Sequence, residues 1–313
     1  MRVFLAGATG ALGRVLLPML TEAGHDVVGT TSTEANIGAL EAAGAAAVVM
    51  DGLDAEAVRA AVTRAEPDVV IHQLTALKKA ADLKRFDREF ALTNRLRTEG
   101  TDHLLAAARE AGAKRFIAQS YTGWTNPRDG GPVKTEADGL DPDPTAASRH
   151  TLDAIRYVEE VVPQASGLTG IVLRYGGFYG PGTGLGRGGD LLEMVSKRRL
   201  PIVGSGAGMW SLVHIDDAAT ATVRALDHGE AGVYNVVDDD PAPVAQWLPL
   251  LAEAVGAKPP RRLPVWVAKP IVGEHGVSVM TRTRGSSNGR AKRELGWQPR
   301  YASWREGFRN GLG

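Results

Sequence analysis

Short apolar strands alternate with helical segments along the first half of this chain, and this alternation most constrains the fold. The apolar runs are "RVFLAG", "DVVGT", "AAVVM", "PDVVIHQL", "KRFIAQS" and "GIVLRY". Helical periodicity follows at Leu12–Ala23, Ile37–Ala43, Ala55–Arg64 and Phe86–Ala111. Strands that are buried on both faces and joined by helices predict an α/β fold with a doubly wound parallel sheet.

Three glycines separate the first strand from the first helix, in "FLAGATGALGRVL". Gly7 suits a tight turn, Gly10 lets backbone amides approach a pyrophosphate, and Gly13 lets the helix pack closely on the strand. The helix N-terminus adds partial positive charge. A glycine turn without a ligand is the alternative, but this position favours a dinucleotide site. Its predicted residues are Gly7, Thr9, Gly10, Ala11, Leu12, Gly13 and Arg14.

A Gly- and Pro-rich stretch, "RYGGFYGPGTGLGRGGD", ends the regular alternation of strands and helices near residue 176. Beyond it the pattern is irregular and richer in Trp and Pro. We predict a Rossmann-type dinucleotide-binding domain at 1–175, to which 213–240 returns. A smaller C-terminal substrate-binding domain is predicted at 176–212 and 241–313.

Composition excludes several classes of function. The 36 basic and 36 acidic side chains give no net field for nucleic acid or anionic lipid, so we predict a small-molecule substrate and neither of those partners. The absence of cysteine excludes disulfides and thiolate catalysis, and scattered histidines predict no metal site. No secretion signal or membrane-spanning stretch is recognisable, so we expect a cytoplasmic protein.

The end of the second strand bears on the choice between NAD and NADP. An NAD site usually has Asp or Glu there, on the ribose, whereas this chain reads "TTST" from Thr30 to Thr33. The hydroxyls of Thr31 and Ser32 tolerate a phosphate, and Arg14 could supply positive charge. We predict NADP, with NAD as the alternative, in which case Arg14 is a solvated helix residue.

The motifs "AGATGALG", "KRFIAQS", "IVLRYGGFYGPG", "WSLVHIDDAA" and "RAKRELGWQP" occur in an order that resembles the extended short-chain dehydrogenase/reductase superfamily, of the NAD-dependent epimerase/dehydratase type. The resemblance covers nearly the whole chain. It implies a nicotinamide cofactor and a homodimer. It also implies that Asp51 contacts adenine, and that the cofactor is lined further by Gly52, Leu74, Thr75, Ala76, Gln119, Tyr175, Gly176, Gly177 and Phe178.

The segment "HTLDAIRYVEE" lies where this family keeps its proton donor. The family's usual mechanism uses a Tyr with a Lys four residues later, which share one helix face, and a Ser or Thr at the end of the fifth strand. When the segment is aligned through Glu159, Thr151 takes the Tyr position and Ile155 takes the Lys position. The segment has no Tyr-x-x-x-Lys, so we predict that this helix packs rather than supplying the proton donor. Thr151 remains a catalytic candidate.

The end of the fifth strand offers another proton donor. In "AQSYTGW" the family's Ser position falls on Tyr121, directly after Ser120. A phenol there would face the nicotinamide, so Tyr121 is the preferred acid, with His150 and Lys134 as possible supporting cations. The alternative is that Tyr121 only stacks on the cofactor or on the pocket wall, because a buried phenol needs a hydrogen-bond partner but not a catalytic one.

The expected substrate is apolar or aromatic. Nucleotide-sugar members clamp a diphosphate with an Arg where this chain has Trp210, and an aromatic ring cannot neutralise a diphosphate. A second family Arg falls near Val277, although Arg282 and Arg284 are close enough in sequence to compensate. The candidate pocket residues are Trp124, Phe178, Met209, Trp210 and Trp266. Core packing would explain any one of them, and only the group suggests a ligand.

Arg97 stands where the family commonly has Asn. It could bind a substrate carboxylate or bridge to the cofactor, and Arg95 could do either. The alternative is a salt bridge across a dimer face. Asp216 and Asp217 open a helix and are predicted to cap it. His72 lies in a buried strand and is predicted to be a satisfied core histidine.

Three functions remain open. The first is an NAD(P)-dependent oxidoreductase that transfers hydride to or from a small apolar or aromatic carbonyl, alcohol or enone, with Tyr121 as the proton partner. The second is a nucleotide-sugar epimerase or dehydratase. The third is a cofactor-binding protein with little or no turnover.

Overall fold

A seven-stranded parallel sheet forms the centre of the computed structural model, which describes residues 1–77 and 82–313. Its spatial order is β3-β2-β1-β4-β5-β6-β7, and every neighbouring pair is parallel. The predicted doubly wound Rossmann sheet is therefore confirmed. The strands are β1 (Arg2–Ala6), β2 (Asp26–Thr31), β3 (Ala46–Val49), β4 (Val69–His72), β5 (Arg115–Tyr121), β6 (Thr169–Tyr175) and β7 (Gly232–Val236).

Helices cover both faces of this sheet. On one face, apolar residues of α1 and α9 join the inner side of the strands, as do Leu295 and Trp297. On the other face, α3, α6 and α7 bury residues such as Val62, Leu104 and Val158. The helices are α1 (Ala11–Glu22), α2 (Ile37–Ala42), α3 (Ala55–Ala65), α4 (Phe86–Glu89), α5 (Ala91–Arg97), α6 (Glu99–Glu110), α7 (Arg149–Val161), α8 (Asp190–Ser196), α9 (Ile215–Arg224), α10 (Val244–Ala254), α11 (Val265–Thr281), α12 (Gly289–Glu294) and α13 (Trp304–Asn310).

The prediction of a single long helix at Phe86–Ala111 is wrong in one respect, because this segment is divided into α4, α5 and α6. The second break falls at Thr98, whose backbone has φ −93° and ψ −79°. Its hydroxyl donates back to the carbonyl of Asn94 at 3.1 Å, a side-chain bond that competes with helix geometry. The break lies directly after Arg97, the last residue of α5.

A third apolar cluster lies beyond the large sheet and includes Tyr179, Leu192, Trp247 and Trp304. The described residues also form four two-stranded ladders, and three of these contribute residues to the cluster. Because Leu295 and Trp297 belong to the cluster under the large sheet, segment 241–313 contributes to both cores, and the division into two domains stays a prediction. The ladders pair Gly177–Tyr179 with Leu212–His214, Met209–Trp210 with Ala242–Pro243, Ile202–Val203 with Arg262–Leu263, and Val133–Lys134 with Gly285–Ser286.

The carboxyl ends of the parallel strands meet at one edge of the sheet, where ligands of open α/β sheets bind. None of the helices in the two described ranges is both long enough and apolar enough to cross a membrane.

Candidate functional site

The glycine turn after β1 is held in a tight conformation that only glycine suits. Gly7 has φ +93°, and a Cβ there would lie 2.8 Å from the carbonyl oxygen of Gln73. A Cβ on Gly13 would lie 2.3 Å from the oxygen of Gly7, so α1 starts against the turn. The amide of Gly7 donates to Thr30 Oγ1 at 3.0 Å, which ties the turn to β2.

The N-terminus of α1 is suited to an anion. Its N-cap is Gly10, and no side chain in the described ranges caps it. A Cβ on Gly10 would meet only the oxygen of Gly7, at 3.4 Å, so this side of the turn is open. Free amides and the helix dipole in one open place fit the pyrophosphate of a dinucleotide.

At the end of β2 the two predicted hydroxyls have different roles. Thr31 is buried, and its Oγ1 accepts from the amide of Thr33 and from Nδ2 of Asn36, both within the following turn. Ser32 and Arg14 are exposed. Thr31 therefore shapes the turn, and Ser32 and Arg14 are the groups free to meet a phosphate.

The predicted cofactor strip continues across the ends of β3, β4 and β5. Asp51 Oδ1 accepts the amide of Leu53 at 2.9 Å, which fixes the carboxylate beside the loop after β3. Gln119 Nε2 donates to the carbonyl of Leu74 at 3.0 Å and bridges the ends of β4 and β5. The amide of Ala76 donates to Thr93 Oγ1 at 3.1 Å. Thr75 is exposed and Gly52 is buried, and their contact with a cofactor stays a prediction.

At the end of β6, Tyr175 turns its hydroxyl away from the site. That hydroxyl accepts from Gln73 Nε2 at 3.2 Å and lies 2.8 Å from Thr222 Oγ1, inside the core. Burial raises the pKa of Tyr175 to about 12. A contact from Tyr175 to a nicotinamide would therefore involve its backbone or ring, followed by Gly176, Gly177 and the Phe178 ring.

A cavity of about 510 Å³ opens beside these residues. Of the five predicted apolar pocket residues, Trp124, Phe178 and Trp210 line it. Met209 and Trp266 do not, and Trp266 is 79% exposed on α11, which corrects the prediction. The aromatic and apolar lining that sequence reasoning missed includes Phe86, Phe90, Leu191, Met194, Trp247, Ile271, Val272, Val279 and Met280.

Tyr121 lines the cavity and stacks on Trp124 with 6.4 Å between ring centroids. Within the described residues its hydroxyl has no hydrogen-bond partner, and burial raises its pKa to about 12. The two predicted supporting cations are elsewhere. His150 is exposed, and Lys134 lies near Asp138, at 3.5 Å, outside the cavity lining. Their predicted support of Tyr121 is wrong.

The other two catalytic candidates have hydroxyls that are already engaged. Ser120 Oγ donates to Glu159 Oε1 at 2.7 Å. Thr151 Oγ1 donates to Asp87 Oδ1 at 2.7 Å and accepts from Asn94 Nδ2 at 3.0 Å. Both residues line the cavity, but their hydroxyl protons are already used in hydrogen bonds that hold the structure together.

The predicted packing role of α7 agrees with its contacts. Asp87 accepts the amides of His150 and Thr151 and so binds the first turn of α7. Thr151 and Ile155 line the cavity one helical turn apart. None of the six tyrosines of the sequence is followed by a lysine four residues later. That Thr151 and Ile155 occupy the positions of the family's usual pair stays a prediction.

Arg97 is buried at 5% exposure and lines the cavity. Its Nε and Nη1 have no hydrogen-bond partner within the described ranges. By contrast Arg95 is exposed and pairs with Glu99 at 2.8 Å on the surface of the same region, so the predicted role of Arg95 as a site residue is wrong.

Other predicted side chains have structural roles. The N-cap of α9 is His214, so Asp216 and Asp217 are not caps; Asp217 instead accepts the amide of Arg300 at 2.6 Å. His72 is buried, with Nε2 3.2 Å from the oxygen of Leu96, and burial lowers its pKa to about 4, as expected for a neutral core histidine. Arg282, Arg284 and Val277 are absent from the cavity lining, so neither arginine replaces a diphosphate clamp there.

The dinucleotide turn and the cavity beside it define a nicotinamide-cofactor enzyme of the extended short-chain dehydrogenase/reductase class. The sequence matches the family of NAD dependent epimerases and dehydratases over residues 3–237. The chain belongs to this family, and the expected resemblance is confirmed at that level.

Relatives include reductases. The chain is 44% identical over 311 residues to 3-diazoavenalumate denitrifying reductase from a Streptomyces species, covering 98% of this chain and 99% of that relative. It is 28% identical over 261 residues to 4-hydroxy-2-methyl-3-oxo-4-farnesyl-3,4-dihydroquinoline-1-oxide ketoreductase from Stigmatella aurantiaca, covering 82% and 74%.

A solved structure shares the fold. UDP-glucose 4-epimerase from Thermotoga maritima with UDP-glucose superposes with a TM-score of 0.76 at 23% identity, covering 100% of this chain and 97% of that chain. At this identity the likeness concerns the fold alone.

Proposed function

We propose that this chain is an NADPH-dependent reductase of a planar aromatic or conjugated substrate, whose acceptor group needs no strong acid from the protein. One observation carries the proposal: an aromatic-lined cavity adjoins the predicted nicotinamide position, and its wall includes Thr151 and Ile155, the residues that align with the family's Tyr and Lys. When bound, the nicotinamide would supply hydride. Tyr121, Trp124 and Phe178 would form the walls that hold a flat substrate.

A diazo group is the acceptor that this site suits best. When an aryl diazonium group accepts a hydride at carbon, the carbon–nitrogen electron pair leaves with dinitrogen and the hydride pair forms the new carbon–hydrogen bond. Charge and atoms balance without a proton, so a phenol with a pKa of about 12 is no handicap. The 44% identity to a denitrifying reductase supports this acceptor.

Reduction of a carbonyl or enone is the second candidate. It requires a proton for the developing oxyanion, and Tyr121 is the donor that the cavity offers. Similarity to a ketoreductase supports it. A nucleotide-sugar substrate is less well supported, because Trp210 at the clamp position donates its Nε1 proton to Val279 and packs against Trp247 at 4.9 Å.

The two candidates differ in their need for Tyr121. We expect the protein to oxidise NADPH with an aryl diazonium compound well above the enzyme-free rate, and NADPH deuterated at C4 to leave deuterium on the carbon that carried nitrogen. Tyr121→Phe should change this rate less than about three-fold, whereas it should slow reduction of an aryl ketone about 100-fold if the phenol is the acid. Nucleotide oxidation and product mass measure both.

Three results would contradict the proposal. If no diazo, carbonyl or enone compound is reduced, the chain binds its cofactor without turnover. If UDP-glucose is epimerised, the chain is a nucleotide-sugar epimerase. If Tyr121→Phe abolishes the diazo reaction, a proton donor is required after all.

The preference for NADP is proposed from the exposed Arg14 and Ser32 and from the absence of a carboxylate between Thr30 and Thr33. We expect NADPH to bind more tightly than NADH, and Arg14→Gln to raise the dissociation constant of NADPH about ten-fold while changing that of NADH less than two-fold. Titration of intrinsic fluorescence measures both constants. Tighter binding of NADH to the unmodified protein would contradict the preference. The homodimer and the cytoplasmic location stay predictions.

A further inference from the structure

Arg97 is a buried cation without a protein partner. Its side chain lines the cavity at 5% exposure, and its guanidinium makes no hydrogen bond or ion pair within the described residues. Burial lowers its pKa to about 10, so it remains protonated near neutral pH. Burying a charge without a partner costs free energy of folding, and proteins retain such a charge mainly where a bound ligand of opposite charge pairs with it.

Glu159 is the carboxylate whose charge acts on Arg97, and both it and Asp87, at the start of α7, are occupied by other groups. Glu159 is bound by both Nε and Nη2 of Arg174, at 2.7 and 2.5 Å, and accepts the Ser120 hydroxyl as well. Asp87 accepts two amides and the hydroxyl at the start of α7. The ring of Phe90 lies 5.9 Å from the Arg97 guanidinium carbon, which favours a cation but supplies no acceptor atom.

The cofactor does not provide the missing anion. The cavity lining includes Arg97, Tyr121 and Phe178 but none of residues 7–14, where the pyrophosphate would lie. A ribose at the nicotinamide end is neutral and offers hydroxyl acceptors without charge. Asp82 is the one carboxylate of the described cavity lining, but it is exposed and accepts the amide of Lys84 at 2.9 Å, with no ion pair to Arg97. A substrate in the cavity is therefore the source of negative charge that fits best, and a guanidinium matches the two oxygens of a carboxylate.

We propose that Arg97 binds a carboxylate of the substrate, so that the cavity selects planar aromatic acids over neutral aromatics. This inference rests on the proposed function for the place of the nicotinamide. The apolar walls hold the ring system, and Arg97 fixes which end of it enters. Fixing the orientation in this way sets the carbon that faces the hydride donor.

The test measures binding rather than turnover, so it is independent of the reaction. The NADP-loaded protein is titrated with 4-hydroxycinnamate and with its methyl ester, by calorimetry. We expect the carboxylate to bind at least about ten-fold more tightly than the ester. Arg97→Gln should remove this preference by weakening only the carboxylate, and Arg97→Lys should keep part of it. The dissociation constant of NADP should change less than about two-fold.

Arg95→Gln is the matched control, because Arg95 lies on the same helix but pairs with Glu99 on the surface. It should leave the preference for the carboxylate intact. Thermal unfolding of each variant checks that the fold is retained. Arg97→Lys keeps the test decisive if Arg97→Gln does not fold.

Several outcomes would overturn the proposal. Equal binding of acid and ester by the unmodified protein would do so, as would loss of the preference in Arg199→Gln, at the cavity wall, rather than in Arg97→Gln. A ten-fold loss of NADP affinity in Arg97→Gln with the preference unchanged would assign Arg97 to the cofactor. A protein that binds the acid selectively but reduces nothing would leave this inference standing while the proposed function fails.

Discussion

Glu159→Gln is expected to lower the free energy of unfolding by about 3 to 5 kcal/mol. Glu159 and Arg174 form a bidentate ion pair with N–O distances of 2.7 and 2.5 Å, and their side chains are only 6% and 4% exposed. Removing the negative charge leaves Arg174 buried without compensation, and it removes the carboxylate whose charge acts on Arg97. Denaturant unfolding of the protein measures the change.

Glu99→Gln is the control for this prediction. The Arg95–Glu99 pair has the same chemistry at 2.8 Å, but its side chains are 57% and 45% exposed, so its loss should cost less than about 1 kcal/mol. Adding Arg174→Met to Glu159→Gln should recover much of the stability, because replacing both partners removes the unpaired charge. If Glu159→Gln and Glu99→Gln lowered the free energy of unfolding by similar amounts, burial would not determine how much these ion pairs stabilise the protein.

Gly10→Val is expected to reduce affinity for the nicotinamide dinucleotide by at least about 100-fold while leaving the cofactor-free protein folded. Gly10 has φ −70°, which any residue adopts, and a Cβ would meet only the oxygen of Gly7 at 3.4 Å. The branched side chain would instead occupy the space in which the pyrophosphate approaches the amides of α1. Titration with NADPH and thermal unfolding without cofactor measure the two effects.

Gly38→Ala is the control, because a Cβ on Gly38 in α2 has nothing within 4 Å. It should leave the affinity unchanged, and because Ala favours a helix over Gly it should stabilise the protein by at most about 1 kcal/mol. If Gly10→Val bound NADPH normally, the glycine turn would not be the pyrophosphate site. If it failed to fold without cofactor, the turn would be tighter than the structure indicates.

Neighbouring residues of one strand show where sequence reasoning succeeded and where it stopped. The pattern "KRFIAQS" predicted β5 and brought both Ser120 and Tyr121 to the end of the sheet. Both residues line the cavity, but the Ser120 hydroxyl is taken by Glu159, thirty-nine residues away in sequence, and only the Tyr121 hydroxyl is left without a described partner. A distant partner of this kind leaves no local mark in the chain.

The cavity wall shows the same limit. Phe86, Trp247 and His275 come from α4, α10 and α11, where apolar and aromatic residues are typical of ordinary core packing. Their sequence spacing gives no sign that they face one space. His275 has Nδ1 3.1 Å from Thr145 Oγ1 and Nε2 without a partner in the described ranges, a polar atom in this wall that no motif indicated.

The sequence by itself determined the order of strands and helices, the glycine turn and the missing Tyr–Lys pair, because each depends on residues that are neighbours or lie one helical turn apart. Tertiary structure alone decided which hydroxyls are free and which arginine is buried. Arg95 and Arg97 are two residues apart on one helix, yet one pairs with Glu99 in solvent and the other enters the cavity unpaired. Burial and the choice of partner depend on packing between segments that are distant in sequence. That packing therefore sets how much each charge stabilises or destabilises the folded protein.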